Sequence, residues 1–297
     1  MTQQTVQRST LANLQLNLST MADMQAKMSS GKKITVPSDD PAAASDMLRL
    51  RGELRAQTQY VRNADDGGSW LTTVDTALQS SLSTLRQARD LTVQSGDISL
   101  GPASREALAT EIDGVRDSLL AQANTTYLGR NVFAGTSDAG TAFTKNAVTG
   151  QYAWTGTAVG TVDRRINATT TIRVDANGAS VFGDDPSGDT SVFALLDTIS
   201  TTLRTGGDAT PLLSDIDTRM NKMLTQLASV GARHSQVLAA QTELQSSQLT
   251  TKTQLSGIED IDLAETILQL QMQQTAYQGA LGAAAKVLQP SLLDFLR

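Results

Sequence analysis

The chain has 297 residues, 39% of them hydrophobic but only 4% aromatic, and a formal net charge of −6 with a pI near 4.8. Its basic residues are scattered, which excludes the electrostatic footprint of a nucleic-acid or anionic-lipid binder. The absence of cysteine excludes disulfides, thiol nucleophiles and thiolate metal sites together, and the length suits about two domains of roughly 150 residues each.

Met1 to Thr10 is polar and lacks the apolar core of a secretory signal, and no run approaches the roughly 18 apolar residues of a membrane span. Taken alone, this reads as cytoplasmic. Export by a route that reads no cleaved signal would leave the same trace.

The first predicted helix runs from about Thr5 to Ser30 and stops at Gly31, the residue best suited to a left-handed C-cap. Leu11, Leu14, Leu18, Met21, Gln25 and Met28 alternate three and four apart, the 3.5 average that keeps one seam on one side of a helix, and Leu16 and Met24 widen that face. Lys32 to Pro37 is too short and interrupted for a helix. Asp39 or Asp40 then caps a second helix, with Pro41 at its first position. Helical patterning holds from Ala42 to about Val93, but each glycine of Gly67-Gly68 costs about 1 kcal/mol against alanine, so propensity predicts a break there. Gly96, Gly101 and Pro102 mark a turn. A third helix from about Ser104 to Tyr127 places Leu108, Ile112, Val115 and Leu119 on one stripe.

Between Gly129 and Asp189 lie nine of the 22 glycines and five of the eleven aromatics, with Thr and Val in short runs. Those are strand and turn signals. Thr170 to Val174 and Ala179 to Phe182 flank Asn177-Gly178, which predicts a β-hairpin closed by a tight Asn-Gly turn. Helix returns near Ser191, pauses at Gly206-Gly207 and restarts at Pro211 after a cap at Asp208 or Thr210. From Leu213 and Ile216 through Met223, Val230 and Val237 to Ile258 the 3.5 spacing persists, turning polar between Gln241 and Thr251; some 45 residues of helix would span about 65 Å. A last helix after Ser256 carries Leu263, Ile267, Leu270, Gln274, Tyr277, Leu281, Ala284 and Leu288 on one seam. Ile261, Leu268, Met272, Ala276, Ala280 and Val287 form a second stripe beside it. So wide an apolar arc has to be buried, and the matching seam at the other end of the chain is the natural partner.

Catalytic constellations fail on stoichiometry or spacing. His234, the single histidine, falls on the apolar seam between Val230 and Val237, where it reads as a core or interface residue rather than a general base. There is no Gly-x-Ser-x-Gly elbow. Ser30-Gly31-Lys32-Lys33 lacks the first glycine of a phosphate loop, Ala26 standing in its place, and no Ser or Thr follows Lys32. The pairs Asp39-Asp40, Asp65-Asp66 and Asp184-Asp185 lack the spacing and glycine of a calcium loop and read as caps and solvated turns. Trp70 and Trp154 read as core anchors.

Two stretches carry a resemblance. Ser29-Ser30-Gly31-Lys32-Lys33-Ile34 through Pro37-Ser38-Asp39-Asp40-Pro41-Ala42-Ala43 is similar to the Ser-Gly-Lys-Arg-Ile, Asp-Asp-Pro-Ala signature of the bacterial flagellin superfamily. Gly257-Ile258-Glu259-Asp260-Ile261-Asp262-Leu263-Ala264-Glu265 is similar to its Ser-x-Ile-Glu-Asp-Ala-Asp. Phe133-Ala134-Gly135-Thr136, just after Ala123-Asn124-Thr125, and the ending Ser291 to Leu296 resemble the hook–filament junction branch of that superfamily. Ile261 in place of the common alanine, Gly67-Gly68 within a helix the family keeps, and the terminal Arg297 depart from the pattern and keep a filament flagellin as the alternative.

The resemblance implies a mainly α fold with a small β insertion, an elongated antiparallel helical bundle whose N- and C-terminal helices pair. Residues 1–35 with 256–297 would form the inner, polymerising coiled coil, 36–132 with 190–255 a helical bundle, and 133–189 a small outer β domain. It also implies a non-enzymatic structural adaptor without cofactor or metal, placed in the extracellular flagellum. The chain would leave the cell unfolded through the flagellar type III channel, held beforehand by a cytoplasmic export chaperone on the C-terminal helix. Expected partners are other hook-associated proteins, flagellin and further copies of itself, with no nucleic acid and no membrane. The expected assembly residues are Leu11, Leu14, Leu18, Met21 and Met28 at one end and Leu263, Ile267, Leu270, Tyr277, Leu281, Leu288, Leu292 and Leu293 at the other. An intracellular coiled-coil scaffold is the competing reading.

Overall fold

The computed structural model describes residues 3–97, 99–157 and 159–288. Helix α1 (Gln3–Ser30) ends where the sequence predicts: Gly31 takes a φ of +70° and its N–H donates to the Lys27 carbonyl at 2.8 Å. Helix α2 (Pro41–Ser95) opens on Asp40, whose Oδ1 accepts from the Ala43 N–H at 3.0 Å.

The predicted break at Gly67-Gly68 does not occur, and α2 runs unbroken for 55 residues. Packing overrides propensity there. Both glycines are buried; a Cβ on Gly67 would stand 3.2 Å from the Val174 side chain, and one on Gly68 3.6 Å from Val237. The missing side chains let neighbouring segments close on the helix from two directions.

Helix α3 (Pro102–Ala123) buries the stripe Leu108, Ile112, Val115 and Leu119 and packs on α5 (Val192–Arg204). Between them the chain makes three separate two-stranded antiparallel ladders: β1 (Thr126–Tyr127) with β2 (Arg130–Asn131), β3 (Phe143–Lys145) with β4 (Tyr152–Trp154), and β5 (Asp163–Arg165) with β6 (Thr171–Arg173).

The predicted hairpin across Asn177-Gly178 is corrected: β6 pairs backward with β5, and residues Gly178–Phe182 form a short helix, α4. Asn177 caps it, its Oδ1 accepting from the Ser180 N–H at 3.1 Å. Val181 and Phe182 are both fully buried. Consecutive strand residues point to opposite faces, so a helical turn serves this pair where a strand would expose one of them. Phe182 meets Phe133 edge-on at 5.3 Å, Phe143 at 5.6 Å and stacks on Phe193 at 5.8 Å. These rings, from the insertion and from α5, join the helical stripes in one continuous core.

Helix α6 (Leu213–Glu259, 47 residues) buries Ile216, Met223, Val230, Val237, Leu244 and Thr251, every seventh residue. Helix α7 (Leu263–Leu288) follows. The chain separates into two compact units, Met1–Ala56 with Ser247–Arg297, and Gln57–Ser246. No described helix is long and apolar enough to cross a membrane.

Candidate assembly surface

Within the first unit, α1 and α7 pack against each other. They run antiparallel, since Lys32 and Asp260 form an antiparallel bridge at one end while Gln273 Nε2 donates to Asn17 Oδ1 at 3.2 Å farther along.

The two signature stretches meet at that bridge. The Lys33 N–H donates to the Glu259 carbonyl at 2.7 Å and the Ile261 N–H to the Gly31 carbonyl at 3.1 Å. Glu259 is 6% exposed, and its carboxylate lies 2.6 Å from the Arg51 guanidinium and 3.0 Å from the Lys32 ammonium. Lys32 reaches Asp260 as well, at 2.8 Å; these two carboxylates hold the Lys32 amine above its usual range. Asp260 in turn is held below the usual carboxylate range by Lys32 and by the Ser256 hydroxyl. Asp39 accepts from the backbone N–H groups of Thr35 at 2.9 Å and Val36 at 3.1 Å, which depress its carboxyl. Asp262 caps α7 through the N–H groups of Ala264 and Glu265. The signature residues Asp39, Asp40, Glu259, Asp260 and Asp262 therefore each close a cap, a turn or the clasp itself.

The seam between α1 and α7 divides the expected assembly residues. Leu14, Met21 and Met28 of α1 and Leu270 and Tyr277 of α7 are half-buried. Leu11 (59% exposed), Leu18 (48%), Leu263 (54%), Ile267 (37%) and Leu281 (45%) lie open instead. Leu288 is the last residue of α7, and Leu292 and Leu293 fall outside the described residues. The half-buried positions on α7 are Thr266, Leu270, Gln273, Tyr277 and Ala280, ending at buried Ala284; on α1 they include Leu14, Asn17, Met21 and Met24. Both sets keep the three-four alternation, but rotated from the most leucine-rich stripe. An apolar search passes over Asn17 and Gln273; the periodicity alone accommodates them.

A pair of helices buries one stripe of each, so the rest of their apolar arc stays open. Leu16 (64%), Leu268 (60%) and Met272 (64%) extend this outward surface.

The other candidates of the sequence lie in the unit Gln57–Ser246. His234 is half-buried beside Val230 and Val237. Trp70 is buried edge-on to Tyr127 at 5.4 Å, and Trp154 Nε1 donates to the Phe133 carbonyl at 2.9 Å. Asp66 pairs with Arg164 at 2.6 Å, and Asp185 accepts from the Tyr152 and Ser191 N–H groups at 2.7 and 2.6 Å. A cavity of about 280 Å³ beside α6 is lined by Asp189, Arg219 and Lys222, where Asp189 pairs with Arg219 at 2.5 Å and with Lys222 at 3.1 Å. Among the described residues no three His, Cys, Asp or Glu side chains group as metal ligands.

These features define a class: a mainly α chain whose two ends form one helix pair, joined by a clasp built from two signature motifs. The N-terminal helical region of bacterial flagellin matches residues 2–138 and its C-terminal helical region residues 213–296. The chain belongs to the bacterial flagellin family. Flagellar hook-associated protein 3 of Salmonella typhimurium is 26% identical over 294 residues, covering 89% of this chain and 91% of its own. Flagellin of Bacillus subtilis is 26% identical over 270 residues, covering 86% and 85%. The solved structure of a flagellar hook-associated protein from Vibrio parahaemolyticus superposes with a TM-score of 0.68 at 22% identity, over 75% of this chain and all of that one, a likeness of fold.

Proposed function

We propose that this chain is a structural subunit of the bacterial flagellum that joins the hook to the filament. The observation that carries this reading is the end-to-end similarity to hook-associated protein 3, 89% of this chain against 91% of that one. The outward apolar face of the α1/α7 pair supplies a physical means, because large open apolar surface favours burial against neighbouring subunits. Residues 1–35 with 256–297 polymerise, 36–132 with 190–255 form the supporting bundle, and 133–189 form the part that faces outside. The partners are further copies of the chain in a ring, other hook-associated proteins and flagellin. The role is mechanical rather than catalytic, and it is performed outside the cell.

Export through the flagellar channel requires an unfolded chain, and a cytoplasmic chaperone on α7 would cover its apolar arc until assembly. A pair of helices gains stability from whatever buries its open face, so assembly would strengthen a pair already formed within the chain.

Immunogold labelling of whole flagella tests this reading. A single band at the hook–filament boundary is expected. The 26% identity to Bacillus subtilis flagellin over a comparable span favours one second reading, a filament subunit, for which gold would run along the filament.

A further inference from the structure

The terminal pair carries more apolar surface than one seam can hold. In α1, Leu14 and Met21 turn inward while Leu11 and Leu18 stay exposed; in α7, Leu270 and Tyr277 turn inward while Leu263 and Leu281 stay exposed. A rotation of each helix through about 50°, half of one residue's turn, would replace Asn17 and Met24 at the seam by Leu11, Leu18 and Gln25, and Thr266, Gln273 and Ala280 by Leu263, Ile267, Gln274 and Leu281, while Leu14, Met21, Leu270 and Tyr277 stay within it. Hydrophobic burial alone does not favour the observed arrangement.

Polar matching does choose. In the observed arrangement the two amides at the seam, Asn17 and Gln273, meet and share a hydrogen bond at 3.2 Å. The leucine-rich alternative would carry Gln25 and Gln274 into the seam. With Asn17 opposite Gln273 and Lys32 opposite Asp260, paired residue numbers sum to 290–292, so Gln25 would face the region of Ile267 and Gln274 that of Leu18. Neither amide would find the other. An amide held at an apolar seam without a partner is penalised far more than a paired one, and a single polar seam residue can set helix alignment at some cost in stability.

We propose that the Asn17–Gln273 hydrogen bond selects which apolar face of the terminal pair closes within the chain and which stays open. It commits Met24, Thr266 and Ala280 to the internal seam in place of Leu11, Leu18, Leu263 and Leu281. The use of the released face, with Leu11, Leu18, Leu263 and Leu281, by neighbouring subunits rests on the function proposed above.

The chain contains no cysteine, so engineered cysteine pairs report the face without background. In the purified full-length chain, Met24→Cys with Thr266→Cys reads the inward face, and Leu11→Cys with Leu281→Cys reads the alternative. The inward pair should oxidise about tenfold faster, a factor that a preference of about 1.4 kcal/mol provides. Adding Asn17→Leu and Gln273→Leu should erase that ratio by raising the rate of the Leu11/Leu281 reporter, while α1 and α7 keep their protection from hydrogen exchange. An unchanged ratio would overturn the proposal. So would equal rates in the parent chain, or a ratio lost together with protection, which would make the bond a general stabiliser. No flagellum is read in this experiment, so its outcome is independent of whether the chain serves the junction.

Discussion

Arg51 holds the carboxylate of Glu259 at 2.6 Å, joining the start of α2 to the end of α6 across 208 residues of sequence. Lys32 completes the contact at 3.0 Å. Glu259 is the buried member and both cations are half-exposed, so truncating it forfeits two charge-assisted contacts without stranding a buried charge. Glu259→Ala should therefore raise local opening of α1 and α7 on the order of tenfold, read as hydrogen exchange. Exchange in residues 108–119 should stay as in the parent chain; an equal rise there would mean that Glu259 supports the whole fold.

The inward and outward faces of α7 predict different failures. Leu268→Asp, on the open face, should leave the α1/α7 pair protected but prevent incorporation into flagella, since each outward leucine offers about 1.5–3 kcal/mol when a neighbour buries it. Leu270→Asp, at the seam, should abolish incorporation and also loosen the pair. Hydrogen exchange on the purified chain together with electron microscopy of flagella separates the two. Normal incorporation of the Leu268→Asp chain would remove the open face from the assembly.

Two neighbouring glycines should respond differently to the same substitution. An added methyl on Gly68 meets Val237 at 3.6 Å, an ordinary contact, whereas on Gly67 it meets Val174 at 3.2 Å and Arg164 at 3.4 Å. Helix propensity favours alanine at each position by about 1 kcal/mol. Gly68→Ala should raise the melting temperature by about 2–4 °C, the shift that 1 kcal/mol gives in a unit of this size. Gly67→Ala loses that gain to crowding, and calorimetry should place it below Gly68→Ala.

Acid should weaken the unit Gln57–Ser246 through Asp197. Burial raises its carboxyl, but the Lys145 ammonium at 2.8 Å, the Arg116 guanidinium and the Tyr152 hydroxyl at 3.0 Å outweigh that and leave it below the usual carboxylate range. A carboxylate depressed by folding contributes its full stability above its unfolded pKa of about 3.9 and loses it as pH falls through the folded value. Asp197→Asn should cost about 1 kcal/mol at pH 7, after allowance for solvent screening. The difference between variant and parent should shrink as the pH is lowered below about 4. Denaturant titrations at pH 7 and pH 3 measure both ends; a constant difference would place its origin in packing rather than charge.

Local chemistry made much of the fold legible. Gly31 ended α1 because a left-handed cap suits glycine, Asp40 and Pro41 opened α2 for equally local reasons, and Ile216 to Leu244 kept their heptad because helical geometry repeats wherever the side chains do. The two signature stretches were readable too, although not the clasp between them: Glu259 and Arg51 are far apart in sequence, and only the antiparallel return of the chain brings them together.

What the amino-acid order determined by itself was the set of helices, their caps, the family signatures and the presence of a wide apolar arc at each end. The tertiary structure decided the rest. It carried α2 through Gly67-Gly68, because Val174 and Val237 pack against the helix at those two buried residues, and it made Asn177 a helix cap, because Val181 and Phe182 both had to be buried. It also turned Leu14 and Leu270 inward and left Leu11 and Leu281 open. Periodicity states that an apolar stripe exists; which of two adjacent stripes is buried depends on the partner across the seam, and here that partner brings the amide that Asn17 requires.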